Sequence, residues 1–179
     1  MTLSLQRRSC MSSKKSTPAS KTSLENAEHG FVATEVLRDS LQLVLVNMLD
    51  LQLVGKQIHW NVVGPNFRDL HLNIDEVVAI ARRGSDEIAE RMRALHATPD
   101  GLASTIAKYT RIEQPVNTEV LTTDGVDIMV KAVQATVDVM REVHDPVDED
   151  DPTTADILHQ YIAELEQQAW FLSAETRRP

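Results

Sequence analysis

The chain has 179 residues, enough for one domain with a sizeable core, and its few aromatic residues, six Gly and seven Pro favour helices over sheets. Its net charge of −9 favours solubility and, taken alone, argues against a nucleic-acid partner. The single cysteine, Cys10, excludes a disulfide framework, and no apolar run approaches the ~20 residues of a membrane span, so we expect a cytoplasmic protein with no membrane partner.

The beginning of the chain differs in charge from the rest. Residues 1–24 contain Arg7, Arg8, Lys14, Lys15 and Lys21 and no acid, a charge of +5, which leaves −14 for the remainder because the whole chain carries −9. Residues 1–30 are rich in Ser, Thr and Lys and poor in apolar side chains, so they cannot offset the entropy lost on ordering. They also lack the apolar segment of a secretory signal. We predict a disordered basic N-terminal tail over residues 1–30.

Residues 31–176 are predicted to contain four long helices, with a short C-terminal tail at residues 177–179. The first helix covers about residues 32–62, where apolar residues recur at helical spacing and additional ones widen the stripe. Gly64 and Pro65 interrupt this pattern, and Pro65 with Asn66 suits the start of a second helix. That helix covers about residues 67–96 and closes at a turn signal in residues 98–101.

A long connection over residues 98–122 separates these helices from the next two, and residues 102–109 are expected to form a short helix within it. The third helix begins near Thr123 or Asp124, both good caps, and is expected to end near His144, where the two prolines of DPVDEDDP break it. The fourth begins near Thr153 and ends near Glu175. Two helices, a long crossover and two more helices predict an all-α, ferritin-like four-helix bundle with a short extra helix between helices two and three.

Five residues with oxygen or nitrogen ligand atoms lie in one block of the sequence: His59, His71, Asp75, Asp86 and Glu90. His71 and Asp75 are four residues apart, as are Asp86 and Glu90, so each pair lies on one face of the second helix. The two pairs share one stripe but are separated by a rise of roughly 16 Å. A metal lies only ~2 Å from its ligands, so the pairs cannot bind one ion within a single chain.

Two copies of the second helix, packed antiparallel about a two-fold axis, would bring the pairs together. An axis near residues 79–82 would place the first pair of one chain against the second pair of its partner. Two-fold dimers are the commonest oligomers, and Ala79, Ala81 and Gly84 are small enough to allow a close approach. The spacing alone therefore predicts a dimer with shared metal sites.

The motif KxxHWNxxGxxFxxLHxxxDE, followed by DEIAER, resembles the mini-ferritins called DNA-binding proteins from starved cells (Dps) over residues 56–91. In that family an inter-subunit ferroxidase centre takes two His and an Asp from one subunit, here His59, His71 and Asp75. The two-fold mate supplies an Asp and a Glu, which correspond to Asp86 and Glu90. The resemblance implies a hollow dodecamer of two-fold dimers that oxidises Fe(II) to Fe(III) with hydrogen peroxide or oxygen, stores the ferric mineral and protects DNA.

Two further features have both a functional and a structural interpretation. The acids of residues 148–151 and Asp156 have two interpretations: they form a solvated helix start, or they line a pore. The resemblance implies three-fold pores that admit Fe(II), with Asp151 and Asp156 as the lining residues. The basic tail either solubilises the assembly or binds DNA without sequence specificity. In the second case its five basic residues are the DNA contacts, and the protein is nucleoid-associated.

The alternative functions follow from these same features. A nucleoid-compacting protein with secondary iron chemistry is the first alternative, and a di-metal enzyme with an organic substrate is a weaker one. Carboxylates with imidazole and open coordination positions suit Fe(II) oxidation better than a structural zinc site. A hydrolytic zinc or manganese centre has no Ser/His/Asp or HExxH arrangement to support it.

Other side chains receive structural assignments. Lys56 and Arg83 are expected to pair either with the site carboxylates or with solvent. Glu87 is expected to be solvated. Trp170 and Phe171 are predicted to lie in the core. Four histidines lack a partner at ligand spacing: His29, His96, His144 and His159.

Overall fold

The computed structural model describes residues 30–176. Within them the chain forms five helices, α1 (Glu35–Asn61), α2 (Phe67–Ala94), α3 (Ala103–Tyr109), α4 (Thr122–Asp150) and α5 (Pro152–Thr176). Two short strands, β1 (Val62–Val63) and β2 (Val120–Leu121), pair in parallel. The predicted all-α class is confirmed, including the short helix in the connection between the second and third long helices. None of the helices in residues 30–176 is long and apolar enough to cross a membrane.

The four long helices pack in two hairpins. α1 packs against α2, α4 packs against α5, and the two hairpins join through the pairs α1–α4 and α2–α5. Apolar side chains from all four helices fill the centre, among them Leu41, Ile74, Met140 and Leu165, each with no exposed surface. A continuous core of this kind is the main stabilising term of a helical bundle, because isolated helices are marginal in water.

Small residues of α2 allow the neighbouring helices to pack closely in this core. A Cβ at Gly84 would lie 2.4 Å from Met48 Cε and 3.0 Å from the Tyr161 ring, so the glycine allows α1 and α5 to approach α2 closely. Ala81 has no exposed surface, whereas Ala79 is exposed. The prediction that Gly84 and Ala81 serve close approach at a dimer seam is therefore wrong, since both residues face the bundle of their own chain.

The start of α2 lies where the sequence predicted it. Asn66 occupies the N-cap position with φ of 59° and makes no side-chain capping hydrogen bond. Asn is one of the few residues that tolerate this left-handed conformation, so its local role is to let the chain reverse direction. The N-cap of α1 is a side-chain cap, because Thr34 Oγ1 accepts a hydrogen bond from Leu37 N at 3.1 Å.

The prediction that α4 ends near His144 is wrong. α4 continues through Pro146 to Asp150, and only Asp151 separates it from α5. A proline inside a helix costs about 3 kcal/mol. Tertiary contacts offset this cost, since Val147 is fully buried and the Thr34 hydroxyl donates to the Asp150 carboxylate. The acidic run is therefore mostly helical, and the sharp corner falls at its last residue.

The end of α5 also differs from expectation. Trp170 and Phe171, predicted to lie in the core, are 58% and 39% exposed. Leu165 and Leu172, seven residues apart, take the inward positions of this part of the helix and are buried. The two rings consequently point away from that face and contact each other, with centroids 5.0 Å apart.

Candidate metal centre

Three of the predicted ligands meet where α1 ends and α2 begins. His59 lies in the last turn of α1, and His71 and Asp75 lie near the start of α2. The chain reverses between the helices at Gly64, whose φ of +120° disfavours any residue with a side chain. One ligand atom from each of the three residues lies within 4.8 Å of the other two. The fold thus groups the three residues that the resemblance assigned to one subunit.

Main-chain carbonyls orient the two imidazole rings. His59 Nδ1 lies 3.1 Å from the carbonyl oxygen of His71, and His71 Nδ1 lies 3.0 Å from that of His59. The rings stack with centroids 3.6 Å apart and planes inclined by 24°. A carbonyl can only accept, so each Nδ1 carries a proton, and in the neutral form of the ring Nε2 keeps the lone pair. Such a hydrogen bond at one ring nitrogen fixes the other as a metal ligand.

Asp75 supplies the negative charge of this group. Its Oδ1 accepts a hydrogen bond from Lys56 Nζ at 2.5 Å and lies 3.3 Å from His59 Nδ1. The Lys56 hydrogen bond lowers the pKa of Asp75, and this effect outweighs the opposing effect of burial. The carboxylate is therefore ionised at neutral pH. Lys56, for which two roles were open, pairs with a site carboxylate.

The other two predicted ligands lie further along the same helix. α2 is unbroken from Phe67 to Ala94, so Asp86 is displaced from Asp75 by a rise of roughly 16 Å. Asp86 and Glu90 are both exposed. Asp86 lines an open depression of about 650 Å³ together with Leu49 and Ala79. One chain consequently presents two separate groups of ligands on one helix and does not join them.

Large apolar side chains are exposed near the histidine group. Trp60, next to His59, is 71% exposed, and Leu53 of α1 and Leu72 of α2 are 58% and 45% exposed. The ring of Phe67 lies 5.1 Å from that of His71 and is 42% exposed. Large exposed apolar side chains such as Trp60 and Phe67 are typical of surfaces that bind another protein molecule when they form a continuous patch.

Comparison with known proteins identifies the family to which this chain belongs. A family model described as a ferritin-like domain matches residues 38–178. A protein of Deinococcus radiodurans named DNA protection during starvation protein 1 is 32% identical over 141 residues, which cover 78% of this chain and 68% of that protein. The chain belongs to the Dps family.

Solved structures of Dps proteins agree with this membership. Dps from Mycobacterium smegmatis superposes with a TM-score of 0.77 at 28% identity, covering 82% of this chain and 92% of that one. Dps from Vibrio cholerae O1, described as a member of a broad superfamily of ferritin-like diiron-carboxylate proteins, gives a TM-score of 0.73 at 25% identity, covering 79% and 89%. The predicted ferritin-like bundle and the predicted family are both confirmed.

In this Dps-family chain the two predicted pore residues have different surroundings. Asp151 is buried at the α4–α5 corner, where its Oδ2 lies 2.5 Å from Arg91 Nη2 and accepts a hydrogen bond from Thr154 Oγ1 at 2.5 Å. Burial raises the pKa of Asp151, but the hydrogen bonds from Thr154 and Arg91 together lower it further, so the net shift is downward. Asp156 has an 86% exposed side chain. The pore role stays a prediction, and for Asp151 these contacts assign a structural role instead.

Two further polar contacts differ from the sequence-based assignments. Arg83 forms an ion pair with Glu164 and does not contact the ligand group. Glu87, expected to be solvated, accepts a hydrogen bond from the buried Tyr161 hydroxyl at 2.5 Å. Burial, followed by this hydrogen bond, raises the pKa of Tyr161 to about 12. The five basic residues predicted to contact DNA lie outside the described residues: Arg7, Arg8, Lys14, Lys15 and Lys21.

Proposed function

We propose that the protein oxidises Fe(II) at sites shared across a two-fold dimer and stores the ferric product. The observation that carries this proposal is the group formed by His59, His71 and Asp75, whose ligand atoms lie within 4.8 Å of one another. Two neutral imidazoles with free Nε2 lone pairs and an ionised carboxylate suit Fe(II), and they leave coordination positions open. Relatives named for DNA protection during starvation and a ferritin-like diiron-carboxylate neighbour support an iron-based protective role.

The second half of each site is proposed to come from the partner chain. Asp86 and Glu90 add two carboxylates from the same stripe of α2, and an antiparallel partner would carry them across the roughly 16 Å that separates the groups. The depression beside Asp86 and the exposed Leu72, which lies on the same stripe of α2, support a dimer seam on this face of α1 and α2. Burying apolar surface there would stabilise the dimer by about 25 cal/mol for each Å² removed from water.

The proposed reaction uses Fe(II) as substrate and hydrogen peroxide as the preferred oxidant, with oxygen as a substitute. Each of two Fe(II) ions gives one electron to one peroxide molecule, whose O–O bond breaks. With two water molecules the products are two ferric oxyhydroxide units and four protons. Because the two electrons leave together, no hydroxyl radical is released. The histidines and Asp75 bind and position the iron, and Asp86 and Glu90 of the partner complete the set.

Storage requires a closed assembly, which we propose to be a dodecamer built from these dimers. Fe(II) would pass through acidic pores lined by Asp156, whose side chain is 86% exposed and which would focus negative potential together with the acids at the end of α4. A second candidate function is non-specific DNA binding through the basic tail. The observation that favours it is the contrast between +5 in residues 1–24 and −14 in the remainder.

Complementation between two inactive variants tests the shared site. His71→Ala and Glu90→Ala chains, carrying different affinity tags, are produced together, and assemblies that contain both tags are isolated. A mixed dimer then has one site that lacks both residues and one intact site. With random pairing, about a quarter of all sites are intact, so Fe(II) oxidation by peroxide should recover to about a quarter of the wild-type rate.

The matched control combines His71→Ala with Asp75→Ala, which damage the same half of the site. No mixed dimer of this control contains an intact site, so the oxidation rate should stay at the level of either variant alone. Equal rates in the two mixtures would refute the shared site. Absence of peroxide-driven mineral formation in the wild-type assembly would favour instead a di-metal enzyme with an organic substrate.

A further inference from the structure

A second pair of histidines meets at the corner between α4 and α5. His144 of α4 and His159 of α5 have Nε2 atoms 2.6 Å apart, and their rings stack with centroids 4.5 Å apart and planes inclined by 29°. Fifteen residues separate them in the sequence, which is not a ligand spacing along one helix. The packing of α4 on α5 nevertheless makes each of them the partner of the other, which the sequence did not predict. Neither residue belongs to the group formed by His59, His71 and Asp75.

A carboxylate lies near Nδ1 of each ring and favours a proton there. His144 Nδ1 lies at hydrogen-bond distance from Asp145 Oδ1, 3.0 Å, whereas His159 Nδ1 lies 3.7 Å from Asp156 Oδ1, which is an electrostatic contact without a hydrogen bond. Because a carboxylate attracts and accepts protons, the neutral form of each ring is favoured with its proton on Nδ1. The two Nε2 atoms then carry lone pairs 2.6 Å apart. Two lone pairs at this distance repel unless a cation lies between them.

We propose that His144 and His159 bind a divalent transition-metal ion of the Zn²⁺ type through their Nε2 atoms. Asp145, which lies at hydrogen-bond distance from His144 Nδ1, acts as an outer partner that orients a metal-binding histidine and makes it more basic, and Asp156 adds negative charge beside His159. Two imidazoles with no directly coordinated carboxylate favour Zn²⁺ or Cu²⁺ over Fe(II) or Mn²⁺. The ion would complete its coordination with water, because the pair lies beside an open depression of about 410 Å³.

Only a small movement is needed to admit the ion. Zn–N bonds of ~2.0–2.1 Å in a tetrahedral arrangement hold two ligand nitrogens about 3.3 Å apart, so the 2.6 Å pair must open by less than ~1 Å. The His159 side chain is 57% exposed, so it has more room to move than that of His144, which is 23% exposed. The positive charge of the nearby Arg141 is offset by its ion pair with Glu166.

Zinc binding to the full-length assembly tests the site. We expect wild type to bind one more Zn²⁺ per chain than His159→Gln or His144→Gln, measured by equilibrium dialysis with metal analysis. His96→Gln, an exposed histidine elsewhere in the chain, should bind as wild type does. Asp145→Asn should keep the stoichiometry and weaken affinity by about ten-fold or more, since it acts only through His144.

A second readout identifies the ligands. Cu²⁺ bound to wild type should show superhyperfine coupling to the two imidazole nitrogens of this pair by electron paramagnetic resonance, and His159→Gln should lose that component. The Fe(II) oxidation rate of the same preparations serves as a check that the group at His59 is intact. Equal Zn²⁺ stoichiometry in wild type and both glutamine variants would overturn the proposal and leave a proton shared between the rings as the occupant.

Discussion

Main-chain carbonyl groups orient the histidines of the candidate metal centre. His59 and His71 each donate Nδ1–H to the carbonyl of the other, so the two rings hold each other in the metal-binding tautomer. The His59 carbonyl is available because it lies in the last turn of α1, where carbonyls have no intrahelical partner. The His71 carbonyl lies within α2 and can accept from His59 with its second lone pair. Main-chain carbonyls therefore orient these rings without the need for an additional side chain.

A metal ion at the proposed site would compete with Lys56 for Asp75. Both side chains of this ion pair are more than a third exposed, so it is worth at most about 1 kcal/mol. Lys56→Met should therefore strengthen anaerobic Fe(II) binding at pH 7, by up to about five-fold. The rise in the Asp75 pKa does not cancel this gain, because the carboxyl's ordinary value of 3.8 leaves it ionised at pH 7.

Calorimetric titration of the assembly with Fe(II), without oxidant, measures this effect. Lys131→Met, which removes an exposed lysine of α4 far along the sequence, is the matched control for loss of one positive charge. Weaker Fe(II) binding in Lys56→Met than in this control would show that the lysine holds Asp75 in place for the metal rather than competing with it.

At the scale of the element, the corner between α4 and α5 depends on one buried carboxylate. Asp151 accepts hydrogen bonds from Arg91, in the last turn of α2, and from Thr154, and it ties the corner to the end of α2. The pattern of prolines and acids predicted a loop here, because local propensity disfavours Pro146 inside a helix. The contacts that override that propensity come from α2 and from Thr34, which are remote in sequence. No local pattern could have revealed them.

Asp151→Asn should destabilise the protein by about 1–3 kcal/mol at pH 7, because it weakens hydrogen bonds to a charged partner in a mostly buried place. The pKa of Asp151 is lowered in the folded state, so its stabilising effect is complete above the ordinary value of 3.8 and is lost as pH falls through the lower folded value. The difference in melting temperature between wild type and variant should therefore be full at pH 7 and shrink below about pH 4.

Asp148→Asn, at an exposed position of the same acidic run, is the control for lost charge and should change the melting temperature little. Thermal unfolding followed by circular dichroism at the two pH values provides the comparison. If the decrease in melting temperature caused by Asp151→Asn became larger on acidification, the stabilising role assigned to the ionised Asp151 carboxylate would be contradicted.

At the scale of the whole molecule, the sequence predicted what depends on short-range periodicity. The four-residue spacings on α2 were sufficient to predict that His71 and Asp75 share a face, and the break at Gly64 that His59 ends the preceding helix. The grouping of His59 with those two residues was implied by the resemblance to the Dps family. The sequence did not predict the contact between His144 and His159, because only the antiparallel packing of α4 on α5 brings them together. Trp170 and Phe171 were misplaced because apolar character alone does not determine which helical face is buried.

The basic tail gives a prediction for the assembly rather than for one chain. Twelve tails acting together would raise avidity by ~10²–10⁴ over one, so the intact assembly should shift DNA in a gel near ~50 mM salt and release it near ~200 mM through counterion release. Chains that begin at Ser23 lack all five basic residues and should leave DNA unshifted at both concentrations. Full-length chains with these five residues changed to Gln control for tail length, and should also fail to bind.

If the full-length assembly leaves DNA unshifted at the lower salt concentration, the DNA role fails and the iron role stands alone. Equal binding by the Gln variant and wild type would instead locate the DNA contacts outside residues 1–24.

The unbroken α2 has a consequence for inheritance. Because one helix carries both halves of the proposed centre, every chain takes part in two centres, one with each group of ligands. A defective allele that loses both groups would inactivate both centres of any dimer that it joins. Expressed at the same level as a normal allele, it would leave about a quarter of the dimers fully active, so such a lesion would be dominant.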